Sequence, residues 1–338
     1  PLVRVTAPLI EAQIVETFLL NCITYQTMVA SKSARVSLAC ADRTFIDFSP
    51  RRDHGADAAL KAARAAFVGG AVGTSNVLAG KSYGIPVSGT MAHSYIMAFE
   101  DEVAAFRAFT RDFPSRAVLL IDTFDTEEGA RRAAQVIKEL EPEGIAVRGV
   151  RLDSGELGPL TRAVRKILDE SGLTDTQIIL SGDLDEYRIK ELLDEDTPAD
   201  SFGVGTRLGT SADAPSLGSV YKLVADQNGV KIKLSTGKAT LPGCKQVFRF
   251  ERDGVIEHDL IALESEKQAG RPLLRRVMGE GKRLDAPEPL TALQDRCRAA
   301  LAALPHDLRS LEKGTAGYTV SNSEQLEELL ARMRAQQR

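Results

Sequence analysis

The feature that most constrains the fold is a regular alternation of apolar and amphipathic segments in the middle of the chain. Apolar segments end near positions 123, 153, 183 and 206, and segments with apolar residues at helical spacing lie between them. A period of roughly 23–30 residues is the length of one β-strand plus the helix that returns the chain, the unit from which parallel sheets are built. Because these strands are continuously apolar or rich in β-branched residues, we expect both of their faces to be buried.

Three earlier apolar segments raise the number of expected strand–helix units to about seven. They cover residues 43–48, 65–72 and 85–90. Seven such units predict an α/β fold with a barrel-like parallel sheet. A doubly wound open sheet is the alternative.

The segments on either side of this predicted barrel have other patterns. Residues 8–36 predict one long helix or a helix pair. The other expected elements are a hairpin over 221–235 with a turn at Asn228-Gly229, a strand pair over 272–284, and amphipathic helices over 287–335 that separate near Gly314. The predicted domains are a helical segment over 1–36 that leads from a missing N-terminal domain, an α/β barrel over 37–215, and hairpins and helices packed on the barrel over 216–338.

Composition and charge exclude several classes of protein. The chain has 338 residues, of which 43% are hydrophobic and 27% charged, and its net charge is −4. No overall basic field attracts nucleic acid or a membrane surface, and no run of about 20 apolar residues predicts a membrane-spanning helix. The four cysteines are dispersed without a CxxC pair, which argues against a zinc site and favours reduced thiols in the cytoplasm.

Polar residues collect where the predicted strands end. In α/β folds this C-terminal edge of the sheet is where ligands bind, and we expect the side chains to meet there. The residues at these positions are Asp47, Thr90, His93, Asp122, Asp153, Ser154, Ser181, Asp183, Gly203, Gly205 and Thr206.

Two of the strand ends have motifs suited to anionic ligands. In FGVGTRLG (202–209), Gly205 allows close backbone approach to a phosphate and Thr206 adds a hydroxyl donor. In RLDSGE (151–156), Arg151 matches the planar geometry of a carboxylate or phosphate, and Asp153 is suited to ribose hydroxyls or, through water, Mg²⁺. An internal Arg151–Asp153 ion pair is the alternative.

Two further carboxylates have both structural and functional interpretations. Asp183, in SGDLDE, either faces a ligand or caps the following helix. Asp122 ends its strand and is the candidate for fixing the tautomer of a nearby histidine. That histidine is His93, one of only four in the chain, at the point where a strand passes into a helix.

A group of cations near the first predicted strand could bind a diphosphate. It consists of Lys32, Arg35, Arg51 and Arg52, without the interleaved aromatic residues that nucleic-acid binding favours. A solvated basic face is the alternative interpretation. Together with the carboxylates and His93, these residues indicate a transfer reaction on a phosphorylated sugar.

Several motifs occur together and in the order found in one family. They are GTSNVLAGKSYGIPVSGTMAHSY (73–95), LLIDTFDT (119–126), VRLDSGEL (150–157), SGDLDE (181–186), FGVGTRL (202–208) and KLSTGKATLPGCKQVFRF (233–250). In this combination the chain resembles the nicotinate phosphoribosyltransferases, which are type II phosphoribosyltransferases. The resemblance implies a homodimer that forms nicotinate mononucleotide and pyrophosphate from nicotinate and phosphoribosyl pyrophosphate, with coupled ATP hydrolysis; Mg²⁺ is the expected cofactor.

The resemblance also implies roles for individual residues. His93 is the residue phosphorylated by ATP, Thr90 and Arg151 contact nicotinate, and Asp153 and Asp183 lie near the ribose. Thr206 contacts the phosphate of the donor. Apart from the resemblance, Gly205 of the glycine-containing loop and Arg35 and Arg52 of the cation group are further candidates for substrate binding. Which residues hold Mg²⁺ stays open.

Two alternative functions remain at this point. One is nicotinamide phosphoribosyltransferase, because Asp47 could accept a hydrogen bond from an amide. The other is a non-catalytic truncated homologue, because the family has roughly a hundred further N-terminal residues, among them an aromatic that stacks on the pyridine ring.

Overall fold

The computed structural model describes residues 2–235, 240–312 and 317–336. The α-helices are α1 Leu9–Ile14, α2 Glu16–Ala39, α3 Ala56–Val68, α4 Val77–Tyr83, α5 His93–Met97, α6 Glu102–Asp112, α7 Thr126–Leu140, α8 Leu157–Glu170, α9 Glu186–Asp194, α10 Thr206–Gly209, α11 Leu290–Ala302, α12 His306–Arg309 and α13 Glu324–Gln336. The strands are β1 Thr44–Asp47, β2 Val118–Leu120, β3 Gly149–Leu152, β4 Gln177–Leu180, β5 Ser201–Val204, β6 Ala225–Asp226, β7 Gly229–Val230, β8 Lys245–Arg252, β9 Val255–Leu263, β10 Arg271–Pro272, β11 Met278–Gly279, β12 Lys282–Arg283 and β13 Thr319–Asn322.

The chain divides into two compact units. One comprises residues 26–215 and the other residues 1–25 together with 216–338. The domain boundaries expected from the sequence stay a prediction. None of the helices in the described residues combines the length and the apolar character needed to cross a membrane.

A parallel sheet forms the centre of residues 26–215. Its strand order is β1-β5-β4-β3-β2, and every pairing is parallel, as the strand–helix period predicted. The strands are almost wholly buried, because helices connect them and cover their apolar side chains. The predicted α/β class is therefore confirmed, and the carboxyl ends of five strands meet at one edge.

In the described part of the chain, the sheet continues beyond β1 through two single residue pairs. Thr74 bridges Asp47, and Val87 bridges Thr74, both in parallel orientation. The strand predicted over 65–72 is wrong in its first half, because residues 65–68 complete α3, an alanine-rich helix with high helical propensity. Gly70, with φ +123°, then redirects the chain so that Val72 donates its N–H to Phe45. Closure of the sheet into a barrel stays a prediction.

Aspartate caps fix where several helices begin behind the sheet edge. Asp101, Asp125 and Asp185 each accept hydrogen bonds from backbone N–H groups of the following first turn, in α6, α7 and α9. At the other side of α7, a Cβ on Gly129 would lie 2.0 Å from the carbonyl oxygen of Ile121. Only glycine allows α7 to pack this closely, and this packing fixes the end of β2.

Antiparallel strands dominate the described part of residues 216–338. The hairpin expected over 221–235 is formed by β6 and β7, with Gln227-Asn228 as the turn, and the pair over 272–284 contains β11 and β12. The sequence analysis missed the long β8–β9 hairpin and the strand β13 that pairs with β9. Residues 236–239 of the motif 233–250, and the predicted helix break near Gly314, lie outside the described residues.

Candidate active site

A cavity of about 810 Å³ lies at the carboxyl ends of the strands. Its walls come from the loops after β1, β3, β4 and β5 and from the segment that leads into α5. Eight of the ten predicted site residues line it, namely Arg52, Thr90, His93, Arg151, Asp153, Asp183, Gly205 and Thr206. Asp122 and Arg35 are not among the lining residues.

Arg151 is a largely buried cation in the wall of this cavity. Its side chain is 13% exposed, it donates a hydrogen bond to the Thr90 hydroxyl, and it lies 3.6 Å from the Asp153 carboxylate. Burial lowers the pKa of the guanidinium, while Asp153 and Asp122 oppose this effect. Among the described residues its buried Nε has no hydrogen-bond partner. A buried guanidinium with spare donors favours an anionic ligand.

The ring of Phe48 lies close to this guanidinium. The Arg151 Cζ atom lies 6.0 Å from the centre of the Phe48 ring. The ring packs against Gly203, where a Cβ would lie 2.5 Å from the ring carbons, so a larger residue would displace it. The guanidinium therefore lies within cation–π distance of the Phe48 ring, and both groups face the cavity.

Two carboxylates enter the cavity from neighbouring loops. Asp153 accepts a hydrogen bond of 2.5 Å from the Ser181 hydroxyl, which fixes its direction. The backbone of Gly182, with φ +97°, passes against the backbone of Asp153: a Cβ on Gly182 would lie 2.1 Å from the Asp153 carbonyl oxygen. Asp183 follows in the left-handed region, with φ +45°. The alternative of Asp183 as helix cap does not apply, because Asp185 caps α9.

His93 is the first residue of α5 and points its ring between two side chains. Its Nδ1 atom lies 3.1 Å from the Thr123 hydroxyl oxygen, and its Nε2 atom lies 3.9 Å from the Asp153 carboxylate. The side chain is 39% exposed and lines the cavity. One nitrogen therefore has a structural partner, and the other is directed toward the region where substrates would bind.

Asp122 does not make the contact expected of it. Its carboxylate is buried and accepts hydrogen bonds from the Asp153 N–H, at 2.8 Å, and from the Ser154 hydroxyl, at 2.6 Å. Thr123 occupies the place predicted for Asp122 beside His93. Successive side chains at the end of an extended segment point to opposite sides, so only one of the two can reach the imidazole.

The predicted cation group is divided in the structure. Arg51 and Arg52 line the cavity. Lys32 and Arg35 instead bind the fully buried carboxylate of Glu186, at 2.8 and 2.7 Å. Burying a carboxylate without a cationic partner costs folding free energy. The two cations therefore stay paired with Glu186 at the start of α9. The proposed contact of Arg35 with a diphosphate has no support from this geometry.

Asp47 is unavailable to a ligand in this structure. It is 0% exposed, and its oxygens accept hydrogen bonds from the backbone and hydroxyl of Ser49 and from the hydroxyl of Thr74. Burial raises the pKa of its carboxyl group. The role that kept an amide substrate as an alternative is therefore not supported by its position.

Three residues near the site escaped the sequence analysis. They are Thr123, Phe48 and Asp53, whose pKa burial raises to about 6. Neither the hydroxyl of Thr123 nor the ring of Phe48 belongs to a pattern with a recognisable spacing. Their roles depend on which strands become neighbours, and a single sequence does not specify that.

Comparison with known proteins gives a consistent set of similarities. The sequence pattern described as the nicotinate phosphoribosyltransferase (NAPRTase) family matches residues 44–235. The nicotinate phosphoribosyltransferase pncB2 of Mycobacterium tuberculosis (strain ATCC 25618 / H37Rv) is 47% identical over 335 residues, which cover 99% of this chain and 72% of that protein. The nicotinate phosphoribosyltransferase of Bacillus subtilis (strain 168) is 44% identical over 284 residues, covering 81% of this chain and 58% of that one.

Solved structures agree with these sequence similarities. The crystal structure of human nicotinic acid phosphoribosyltransferase superimposes with a TM-score of 0.82 at 26% identity, covering 97% of this chain and 78% of that chain. Nicotinate-nucleotide pyrophosphorylase from Pyrococcus furiosus gives a TM-score of 0.73 at 27% identity, covering 86% and 73%.

Proposed function

The chain belongs to the nicotinate phosphoribosyltransferase family, and we propose that it transfers the phosphoribosyl group of phosphoribosyl pyrophosphate to nicotinate with coupled ATP hydrolysis. The products are nicotinate mononucleotide and pyrophosphate. The observation that carries the proposal is the position of Arg151. It is a largely buried guanidinium beside an aromatic ring, in the cavity that two carboxylates and His93 also line.

Arg151 would bind the carboxylate of nicotinate. Asp153, at 3.6 Å, is too distant to satisfy the guanidinium by a hydrogen bond, and Nε has no partner in the described part of the chain. A nicotinate carboxylate supplies both the missing charge and the missing acceptors. Thr90, already bonded to Arg151, would hold the guanidinium in the orientation that meets this ligand.

The opposite part of the cavity would bind the phosphoribosyl donor. Thr206 and the Gly205 backbone suit its phosphate, and Arg52 together with Arg51 suits the diphosphate. The carboxylates of Asp153 and Asp183 would accept hydrogen bonds from the ribose hydroxyls. Transfer then requires departure of the diphosphate from the anomeric carbon and attack there by the pyridine nitrogen of nicotinate.

Mg²⁺ fits this site only as a partner of the diphosphate. Among the described residues no cluster of three or more His, Cys, Asp or Glu side chains could hold a metal ion. Mg²⁺ commonly binds through one or two carboxylates and substrate phosphates, and Asp153 and Asp183 provide such carboxylates. When bound, the ion would neutralise charge on the leaving diphosphate.

His93 would couple the reaction to ATP. Its Nε2 atom is directed toward the cavity, and the side chain is accessible enough to accept a phosphoryl group. A phosphoryl group there adds negative charge beside the donor site, where it can change how the diphosphate is held. The phosphoryl group acts in energy coupling and is not an intermediate of ribosyl transfer.

We also propose that the protein acts as a homodimer in the cytoplasm. The dimer follows from the family resemblance, and the cytoplasmic location rests on the low density of cysteines, which fits a reducing compartment. Sedimentation equilibrium and cell fractionation measure these two properties directly. A monomer at all concentrations would contradict the first, and export from the cell would contradict the second.

The substitution Arg151→Ala tests the assignment of the nicotinate site. A charge-assisted hydrogen bond to a buried anion is worth about 1.5–3 kcal/mol, so we expect the KM for nicotinate to rise about tenfold or more. The KM for phosphoribosyl pyrophosphate should change little. Arg148→Ala is the matched control, because Arg148 is an exposed cation at the entry to β3 that bonds Gln177.

The opposite pattern would reassign this residue. If Arg151→Ala weakens both substrates equally, the guanidinium serves the phosphates. If the variant accepts nicotinamide as a substrate and no longer accepts nicotinate, the positive charge of Arg151 determines the specificity for the acid. The unchanged KM for the donor also shows that the variant is folded.

A further inference from the structure

Lys32 contacts carboxylates from two different connections of the central sheet. It lies on α2, is 3% exposed, and is not among the residues that line the cavity. Its ammonium nitrogen lies 2.8 and 3.0 Å from the two oxygens of Glu186, the first residue of α9. It also donates a hydrogen bond of 2.6 Å to Asp213, which follows α10. All three residues belong to the compact unit of residues 26–215.

We propose that Lys32 is a positioning residue that ties the loop after β4 to the turn after β5, and thereby sets the relative position of Asp183 and Thr206. The link is a property of the free protein. Its consequence for binding of phosphoribosyl pyrophosphate rests on the function proposed above, in which Asp183 meets the ribose and Thr206 meets the phosphate.

On the β4 side, Glu186 connects Lys32 to the cavity through a short and ordered segment. Glu186 comes three residues after Asp183, and between them Leu184 is buried and Asp185 caps α9. Because the Glu186 carboxylate is 0% exposed, water cannot replace its cationic partners. The position of the ammonium therefore fixes the start of α9 and, with it, the place of Asp183.

On the β5 side, backbone hydrogen bonds connect Asp213 to Thr206. The helix α10 begins at Thr206, and the N–H groups of residues 210–212 continue its winding by donating to carbonyls of residues 206–208. Asp213 follows this turn directly. Its contact with Lys32 thus holds the end of a turn whose first residue lines the cavity.

The charges around Lys32 suit a cation shared between two carboxylates. Burial opposes ionisation of Asp213, but the hydrogen bond and the charge of Lys32 together outweigh it and lower the pKa of the carboxyl group. Glu186 has a second cation in Arg35, at 2.7 Å. Arg35 also donates a hydrogen bond to the Tyr187 hydroxyl on the same helix, so its contacts hold α9. Lys32 is the cation that joins α9 to the turn at Asp213.

The first test measures the link in the free protein by hydrogen–deuterium exchange. Lys32→Met removes the ammonium and keeps an unbranched side chain. We expect faster exchange both at the start of α9 and over residues 206–213, with little change in α8. Faster exchange in one of the two segments alone, in neither, or equally in α8 would overturn the proposal.

Asp213→Asn tests the same link without leaving a buried carboxylate unpaired, because the contact between Lys32 and Glu186 remains. It therefore serves even if Lys32→Met does not fold. Exchange over residues 206–213 should be faster than in the wild type, and Asp213→Glu, which keeps the carboxylate, should restore it. Unchanged exchange in Asp213→Asn would contradict the proposal.

The second test measures the consequence for the donor by titration calorimetry. The dissociation constant of phosphoribosyl pyrophosphate should rise about fivefold in Asp213→Asn, because a displaced Thr206 no longer meets the phosphate while Asp183 meets the ribose. The KM for nicotinate and kcat at saturating donor should change little, and Asp213→Glu should recover the affinity for the donor. An equal loss for both substrates would indicate a general structural role and overturn the proposal.

Asp194→Asn is the matched control for both measurements. Asp194 also accepts a hydrogen bond of 2.6 Å from a lysine, but its partner is Lys190 on the same helix, α9. Removing this contact should leave the exchange over residues 206–213 and the affinity for the donor as in the wild type.

The two tests separate this proposal from the proposed function. If the variants show the link by exchange but the wild type does not bind phosphoribosyl pyrophosphate, the link stands and the proposed function fails. If the wild type forms nicotinate mononucleotide and Asp213→Asn binds the donor equally well, the proposed function stands and the role of Lys32 fails.

Discussion

The Ser49 hydroxyl lies between the buried carboxyl group of Asp47 and the half-buried carboxyl group of Asp53. The Ser49 hydroxyl lies 2.6 Å from Asp47 and 3.2 Å from Asp53. One hydroxyl proton cannot serve two carboxylates fully. The arrangement is satisfied when Ser49 donates to Asp47 and a protonated Asp53 donates to Ser49. This agrees with the pKa of Asp53, which burial and the nearby Asp47 raise to about 6.

The stability of the protein should therefore depend on the ionisation of Asp53. Its pKa is about 6 in the folded protein against an ordinary value of 3.8, so the folded state binds the proton more tightly. Stability is then lost as pH rises from about 4 to about 6. At pH 7, Asp53→Asn should raise the free energy of unfolding by about 1–2 kcal/mol, because the amide replaces the protonated acid without its ionisation cost.

Urea denaturation between pH 4 and pH 8 measures this effect. The difference between Asp53→Asn and wild type should be small near pH 4 and should grow to its full value by pH 7. Asp57→Asn is the control, since Asp57 is an exposed residue that pairs with Lys61 on α3. A difference that does not vary with pH would show that the pKa of Asp53 is the same in the folded and the unfolded protein.

At the scale of the elements, the backbone of the loop after β4 packs directly against the backbone of the loop after β3. Gly182 passes over Asp153 with φ +97°, and a Cβ there would lie 2.1 Å from a backbone oxygen that cannot move easily. The loop after β3 is also held by Asp122, whose carboxylate accepts a hydrogen bond from the Asp153 N–H. The positions of Asp153 and Asp183 thus depend on this contact between two backbones.

Gly182→Ala should weaken binding of phosphoribosyl pyrophosphate as well as lower the stability of the protein, because the added Cβ both strains the backbone and collides with the loop after β3. A residue with a Cβ in the left-handed region costs of order 1 kcal/mol or more, and the clash with Asp153 adds to it. Gly172→Ala is the matched control, because Gly172 also has a positive φ, +76°, but has nothing within 4 Å of the added Cβ.

The comparison is made on both stability and kinetics. Both variants should lose stability, and Gly182→Ala should in addition raise the KM for phosphoribosyl pyrophosphate several-fold. Equal KM values for the two alanine variants would show that the loop shifts without consequence for the site.

The strands of the central sheet and most cavity residues follow from the sequence, and particular residues show why others do not. Asp153 and Asp183 end apolar strands at a fixed period, so their shared edge is predictable. The pairing of Lys32 and Arg35 with Glu186 is not predictable, because it joins residues about 150 positions apart. The strand prediction for residues 65–68 was wrong because a run of buried alanines fits the apolar pattern of a helix as well as that of a strand. The high helical propensity of alanine favours the helix that the structure shows.

At the scale of the whole molecule, the cavity brings together groups from separate strand–helix units. Phe48 follows β1, Arg151 lies on β3 with Asp153 after it, Asp183 follows β4, and His93 begins α5. No single unit contains enough of these groups to bind both substrates. The arrangement is thus a property of the sheet, and it explains why the motifs are informative only in combination.

The most direct measurement is the identity of the product formed by the purified protein. It is incubated with phosphoribosyl pyrophosphate and Mg²⁺, with nicotinate or nicotinamide, and with or without ATP; products are separated by chromatography. We predict nicotinate mononucleotide from nicotinate, with a rate that ATP raises in the wild type but not in His93→Ala. Formation of nicotinamide mononucleotide as the preferred product, or no mononucleotide at all, would contradict the account.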